Sequence, residues 1–300
     1  MLITFLSEPV RCWFVLSSDW LYYEAMNKHK KGKGVIQIEH TLSAWGSALS
    51  QLALASDLTE EQVAEVAHKG GVWRKKHNAH KMRRVRDPSA GSTVSDRFYL
   101  NYDRKILAQI PLVPTLVSDQ LNYSVWNKPS GMLSQGSKWS DHCTITETVR
   151  NQHGKPTFLV HRLDKAASGL MVVAHTKNAL KKLAELFNAR LVEKHYTLLV
   201  NGEFNSTVPH RLDMPVEGKE AITDVLEVQY NAAKDTSTLL VSIGTGRKHQ
   251  IRDHLHAIGL PVVGDRLFDP GREHSQDLQL KACALGFECP FTNEKRLFRL

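Results

Sequence analysis

Residues 161–170 read His161, Arg162, Leu163, Asp164, Lys165, Ala166, Ala167, Ser168, Gly169, Leu170, and the apolar run continues to Ala174. A carboxylate stands two positions after a cation, followed by a turn of small residues and a short, partly β-branched apolar stretch. That pattern predicts a tight turn feeding a buried strand. An Asp on such a turn is held rigidly and can face a cleft. The same residues also suit a structural Arg162–Asp164 ion pair, so alone they do not decide between the two.

Other stretches share the habit of setting polar groups against apolar strands. Upstream lie Asn127, Lys128, Pro129, Ser130, Gly131 and Met132. Downstream, Lys194 and Tyr196 enter a strand that follows a helix, and Thr245 to Leu255 carries Arg247, Lys248, His249, Gln250 and Arg252 around a helix start. In order and spacing these segments resemble the RluA family of RNA pseudouridine synthases: Lys-Pro-x-Gly, His-Arg-Leu-Asp, Lys-x-Tyr, then Gly-Arg-x-His-Gln-Ile-Arg-x-His-Leu. Separated motifs in fixed order make a specific signal, spanning residues 120–300.

The resemblance implies an RNA uridine-to-pseudouridine isomerase acting on structured ribosomal or transfer RNA with no metal or other cofactor. It makes Asp164 the catalytic carboxylate, acting on sugar or base or by taking a proton. Tyr196 would stack on a base removed from its helix, and Arg252 would pair with Asp164, since an unpaired buried charge costs several kcal/mol. Arg162 would fill the gap left by the flipped nucleotide, while Lys128, Lys194, Arg247 and Lys248 would line the rim and hold the backbone. Three departures bear on the RNA target: Ala167 where Thr is frequent, Lys248 in place of a small polar residue, and Met132 to Gly136 as the sequel to Lys-Pro-x-Gly.

Composition agrees with an anionic partner. The formal charge is +8, the pI is near 9.3, and the run from Lys69 to Arg86 holds eight Lys or Arg and no acid. Four scattered cysteines lack a Cys-x-x-Cys pair, which argues against a zinc ribbon or a disulfide framework. No stretch approaches the ~20 apolar residues of a membrane span. The first residues, with Glu8 and Pro9, lack a signal-peptide pattern, and Met26 suggests an alternative start. The expectation is a cytoplasmic monomer with no membrane partner. His249, His254 and His256 have no i,i+4 pair among them, so no metal site is expected there.

Four regions are expected: a 1–45 extension of unknown role, a small S-four-like RNA-binding region over 46–104, a linker over 105–119, and the catalytic domain over 120–300. Thr59 and Gln62 form a capping box before a helix that Gly70 and Gly71 end. Between 69 and 86 a basic turn leads to a strand at Ser95–Tyr102. In the catalytic region, strands are expected at Tyr123–Asn127, Leu170–Ala174, Val192–Val200, Ile222–Tyr230 and Leu239–Ile243. Helices are expected at Cys143–Gln152, after Thr176, and after Gly246 with Ile251, Leu255 and Ile258 buried. Strands outnumber helices and often follow one another, which predicts an α+β fold with a largely antiparallel sheet. The family adds that this sheet is long and mixed, with a central cleft. Two rival readings are an RNA-binding protein that kept the fold without activity, and a metal-dependent hydrolase.

Overall fold

The computed structural model describes residues 28–272 and 275–300. Most of the expected 1–45 extension therefore lies outside the described residues. The chain divides into two compact units, the first reaching Ala108 and including Lys138–Ser140, the second holding the rest.

The first unit contains β1 (Lys28–Gly32), β2 (Val35–Thr41), α1 (Ala48–Ser56), α2 (Glu60–His68), β3 (Val72–Lys75), β4 (Arg83–Arg84), β5 (Arg97–Asp103) and α3 (Arg104–Leu107). Its antiparallel sheet runs β1-β2-β5-β3-β4, and Leu52, Val63, Val66, Val72, Phe98 and Leu100 form one core with it. The capping box is present: Gln62 N donates to Thr59 Oγ1 at 3.2 Å and Thr59 N to Gln62 Oε1 at 2.9 Å. The expected boundary at residue 46 cuts through this unit, because β1 and β2 precede it and pair into the same sheet. The alternation from Val35 to His40, with Ile38 and His40 buried, marks β2 as an integral strand. The expected basic turn is instead a short hairpin. Arg84 stacks its guanidinium 4.4 Å from the centre of the Trp73 ring and donates to Gly70 O, while Arg86 donates to His68 O.

The second unit holds β6 (Thr115–Asp119), β7 (Tyr123–Lys128), α4 (Ile145–His153), β8 (Phe158–Leu159), β9 (Ser168–Ala174), α5 (Lys177–Asn188), β10 (Glu193–Asn201), β11 (His210–Leu212), β12 (Thr223–Asn231), β13 (Thr236–Ile243), α6 (Gln250–Ala257), β14 (Leu280–Glu288) and β15 (Lys295–Arg299). The linker expectation over 105–119 is corrected at both ends, since α3 opens it and β6 closes it as an edge strand on β7. Pro114 immediately before β6 is tolerated because an edge strand needs fewer donors.

Ten strands form one sheet in the order β11-β12-β13-β10-β14-β9-β7-β6, with β15 on β14 and β8 on β9. Every pairing is antiparallel but one. β9 and β14 run parallel, in register Ser168 with Lys281 and Gly169 with Ala282. This seam joins two antiparallel halves, and Gly169 makes it possible. Its φ is +117°, and a Cβ there would sit 2.3 Å from Ala282 O.

The core on one side of the sheet holds Met171, Val173, Leu198, Val241, Ile251 and Leu255; a second holds Leu170, Val172, Ala179, Leu183 and Phe287. β9 contributes alternate residues to each, which is why it reads as a continuous apolar run. Ile258 does not join the face of α6: the helix ends at Ala257, and Ile258 is 38% exposed before Gly259 at φ +79°. Among the described residues no helix is long and apolar enough to cross a membrane.

Candidate active site

Asp164 lies in the loop between β8 and β9, and the segment of residues 128–134 fastens that loop. Gly131 N donates to Lys165 O at 2.8 Å. The Ser130 hydroxyl donates to Ala166 O at 2.7 Å and that of Ser134 to Leu163 O at 2.6 Å. Lys128 completes the clamp. It is fully buried, and Nζ donates to the carbonyls of Pro129, Met132, Lys165 and Ala167 at 3.1, 3.0, 3.3 and 2.5 Å. The expectation that Lys128 binds substrate at the rim is therefore corrected. An ammonium wrapped by four carbonyls in the core holds the Asp164 loop and does not line the cavity over Asp164. Burial draws its pKa down to about 8, against the pull of the Asp164 carboxylate. Ala167, the departure from Thr, is buried and contributes to the clamp only its carbonyl.

His161 sets the other flank. Its Nε2 accepts from Val172 N at 3.0 Å, its ring stacks on Phe187 at 4.4 Å, and burial holds its pKa down at about 3. The neutral ring is a structural prop.

Across the sheet, α6 presents Arg252. One end of its guanidinium donates to Asp164 Oδ2 at 3.1 Å. The fork goes elsewhere: Nε donates to Asp265 Oδ2 at 2.6 Å and Nη2 to Asp265 Oδ1 at 2.7 Å. The side chain of Asp265 is 0% exposed, against 25% for Asp164. Burial pushes the Asp265 carboxyl up, but Arg252 and the N–H groups of Phe268 and Leu267 outweigh it, and the net shift is downward. The Phe268 ring centre lies 5.2 Å from the Arg252 guanidinium. The tightly buried carboxylate is thus Asp265, while Asp164 stays open to solvent on one side. Asp265 escapes sequence reading because it is a lone acid after Pro-Val-Val-Gly.

His249 precedes α6 at φ +57° and brings Nε2 within 3.7 Å of Asp164 Oδ2. Burial lowers its pKa, partly offset by Asp164. Gln250 pins this loop with its whole amide. It accepts from Thr245 Oγ1 at 2.6 Å and Arg247 N at 3.1 Å, and donates to Ile222 O at 2.9 Å and Thr223 Oγ1 at 3.1 Å.

Tyr196 follows a register shift in β10 at His195/Tyr196, and such a bulge re-aims a side chain. It is buried, and burial and Asp164 both raise its pKa, so it stays a neutral phenol. A cavity of about 580 Å³ opens over these residues and is lined by Arg162, Asp164, Lys194, Tyr196, Arg247 and Lys248, with Arg190 among others. A side pocket of about 90 Å³ adjoins it and adds Arg252 and His249 to Asp164 and Tyr196. Seven of the eight expected site residues thus converge, and Lys128 does not. The volume falls within the ~300–1,000 Å³ usual for ligand sites, and its walls join one acid to several cations.

A metal has less support. His254 gives both nitrogens to Thr223 Oγ1 and Met214 O. Elsewhere, Asp119, His153 and His175 bring ligand atoms within 4.8 Å of one another. Lys155 already pairs with both Asp119 oxygens at 3.1 Å, and His175 bonds Pro156 O and Ser124 Oγ. Asp119 and His175 are thus engaged within the protein, while His153 Nε2 lies 3.4 Å from Asp119 Oδ2 and makes no hydrogen bond.

Residues 122–257 match the family model described as RNA pseudouridylate synthase. The chain is 31% identical over 206 residues to tRNA pseudouridine synthase C of Vibrio parahaemolyticus, covering 58% of this chain and 84% of that protein. It is 34% identical over 175 residues to the dual-specificity RNA pseudouridine synthase RluA of Escherichia coli, covering 53% and 78%. Among solved structures, human RNA pseudouridylate synthase domain containing 1 superposes with a TM-score of 0.53 at 26% identity, covering 64% of this chain and 86% of that one.

Proposed function

Since the chain belongs to the RNA pseudouridylate synthase family and is an isomerase acting on RNA uridine, we propose that Asp164 is its catalytic carboxylate and that its substrate is a uridine in ribosomal or transfer RNA. In the reaction the bond from uracil N1 to ribose C1′ breaks and a bond from C5 to C1′ forms. The C5 hydrogen leaves as a proton and N1 gains one, so the product is an isomer. The observation that carries this reading is Asp164, held by a clamped loop at the floor of the cavity with Arg252 at 3.1 Å. A nucleotide extruded from its helix would place its base on Tyr196. Arg162 would occupy the vacated stack, and Lys194, Arg247 and Lys248 would contact phosphates.

The first unit supports a second contact with RNA. Lys76, Lys81 and Arg83 are exposed on its hairpin, which suits an accessory phosphate-binding surface of the S-four kind. The protein would work as a cytoplasmic monomer without a metal.

The test uses RNA labelled with tritium at uracil C5, which releases label only when that bond is exchanged. Wild-type protein should release tritium from ribosomal or transfer RNA, and mapping should locate the modified uridine. Asp164→Asn should abolish release while binding and thermal stability persist. Turnover above a few per cent of wild type in Asp164→Asn would assign the chemistry to another group, and chelator-sensitive turnover would favour the metal-dependent reading.

A further inference from the structure

Arg190 is the cavity-lining cation that the proposed mechanism leaves without a task. It follows the Ala189 C-cap of α5 at φ +60°, a left-handed conformation that favours glycine. Its N–H donates to Phe187 O at 3.2 Å, and the next, Leu191 N, to Leu186 O at 3.0 Å, closing the helix. The backbone would be better served by Gly, so a long charged side chain there points to a use for the side chain.

That side chain reaches Glu220, Nη2 to Oε2 at 2.8 Å, with the two side chains 48% and 59% exposed. The carbonyl of Glu220 accepts from Arg247 Nε at 2.8 Å, so one residue ties together two cations that line the cavity. The turn before it is fixed: Val216 and Lys219 exchange backbone hydrogen bonds, both 3.0 Å, around Glu217 and Gly218 with positive φ. Lys194, beside Arg190, has its pKa lowered by burial and by Arg190, a sign of crowded positive charge.

We propose that Arg190 is a phosphate-binding residue for the RNA strand next to the target nucleotide, held ready by Glu220, whose carboxylate the phosphate displaces. Carboxylate and phosphate both offer a guanidinium a pair of anionic oxygens that it can engage with two parallel N–H donors. An exposed ion pair is weak enough to exchange readily. This rests on the RNA-modifying function proposed above.

The probe is a short fluorescent oligouridylate, with binding followed by anisotropy across a salt series. Arg190→Ala should weaken binding and lower the slope of log affinity against log salt by about 0.7, the share of one single-strand phosphate; Arg190→Lys should keep the slope. Glu220→Gln should tighten binding roughly two- to fivefold, the worth of an exposed ion pair, and should do nothing in an Arg190→Ala background. An unchanged slope in Arg190→Ala, an unchanged or weakened affinity in Glu220→Gln, or no wild-type binding would overturn the proposal. If Arg190→Ala does not fold, Arg190→Lys and Glu220→Gln decide. Wild-type protein that binds the probe as predicted yet forms no pseudouridine would sink the function and leave the phosphate site standing. Wild-type turnover with unaltered Arg190 and Glu220 variants would sink the phosphate site alone.

Discussion

Replacing Arg252 by Met removes one guanidinium from two carboxylates of unequal burial. Asp265 keeps the N–H groups of Leu267 and Phe268, at 3.0 and 3.1 Å, but loses both arms of the fork while its side chain stays 0% exposed. Breaking a buried pair from one side costs about 3–5 kcal/mol. For a unit of this size that corresponds to a fall in Tm of about 6–20 °C. Asp164, 25% exposed, regains water and adds little to the loss. The double replacement Arg252→Met/Asp265→Asn should therefore recover most of the lost stability, while Arg252→Met/Asp164→Asn should recover almost none. The pH dependence has opposite signs in the two proteins. In wild type the Asp265 pKa is depressed, so its contribution is present above the unfolded value of about 4 and is lost as pH falls through the lower folded value. Without Arg252, burial raises the folded pKa, and stability falls as pH climbs from about 4 toward that raised value. Urea denaturation across an acid-to-neutral series should show the gap between the proteins narrowing in acid. A loss under about 1 kcal/mol at neutral pH, or equal rescue by either Asn, would refute the primacy of Asp265.

Lys128→Met should cost at least about 2 kcal/mol by urea denaturation, because buried carbonyls lose their shared donor. In wild type the Lys128 pKa falls from 10.5 to about 8, so the unfolded chain binds more protons between those values and this group's contribution to stability rises with pH there. Over the same window kcat should fall, as the Asp164 loop loses its ammonium clamp; a flat alkaline profile would remove Lys128 from loop positioning. Alanine at Lys76, Lys81 and Arg83 should weaken RNA binding and flatten its salt slope by about 0.7 for each phosphate no longer neutralised, measured by titration. Arg84→Ala should chiefly lower thermal stability of the first unit, since that side chain covers Trp73. Gly169→Ala should prevent recovery of soluble, cooperatively folding protein, because its Cβ would overlap the backbone of Ala282.

Much of the second unit was legible where pattern and neighbours agree. Leu170 to Ala174 reads as a strand because both faces of β9 are buried, and Thr176 announces a helix through its own hydroxyl, as Thr59 does in the first unit. The pairing of Asp164 with a cation more than eighty positions away rested on the resemblance, since no local rule spans that distance. Three things were not legible. Asp265 looks like any surface acid until Arg252 folds over it. Lys128 looks like a rim lysine because nothing local says that four carbonyls will converge on it. The Lys69–Arg86 run reads as uniform charge, yet Arg84 and Arg86 are committed to Gly70 and His68 carbonyls while Lys76 and Lys81 remain exposed. Residue type reports charge; it does not report which charges the fold consumes.

The parallel seam also sets the order in which this protein comes into being. Ser168 and Gly169 emerge during synthesis long before Lys281 and Ala282, the partners they require. At about 5–20 residues per second, roughly ten seconds of translation separate the two strands. Throughout that interval the edge of β9 at Ser168 and Gly169 lacks its neighbour from β14, leaving a nascent chain open to chaperone capture or to mispairing. Long-range pairing of this kind is slow to form and closes late. The Asp164 loop feeds directly into β9, so the seam that forms late begins four residues beyond the carboxylate.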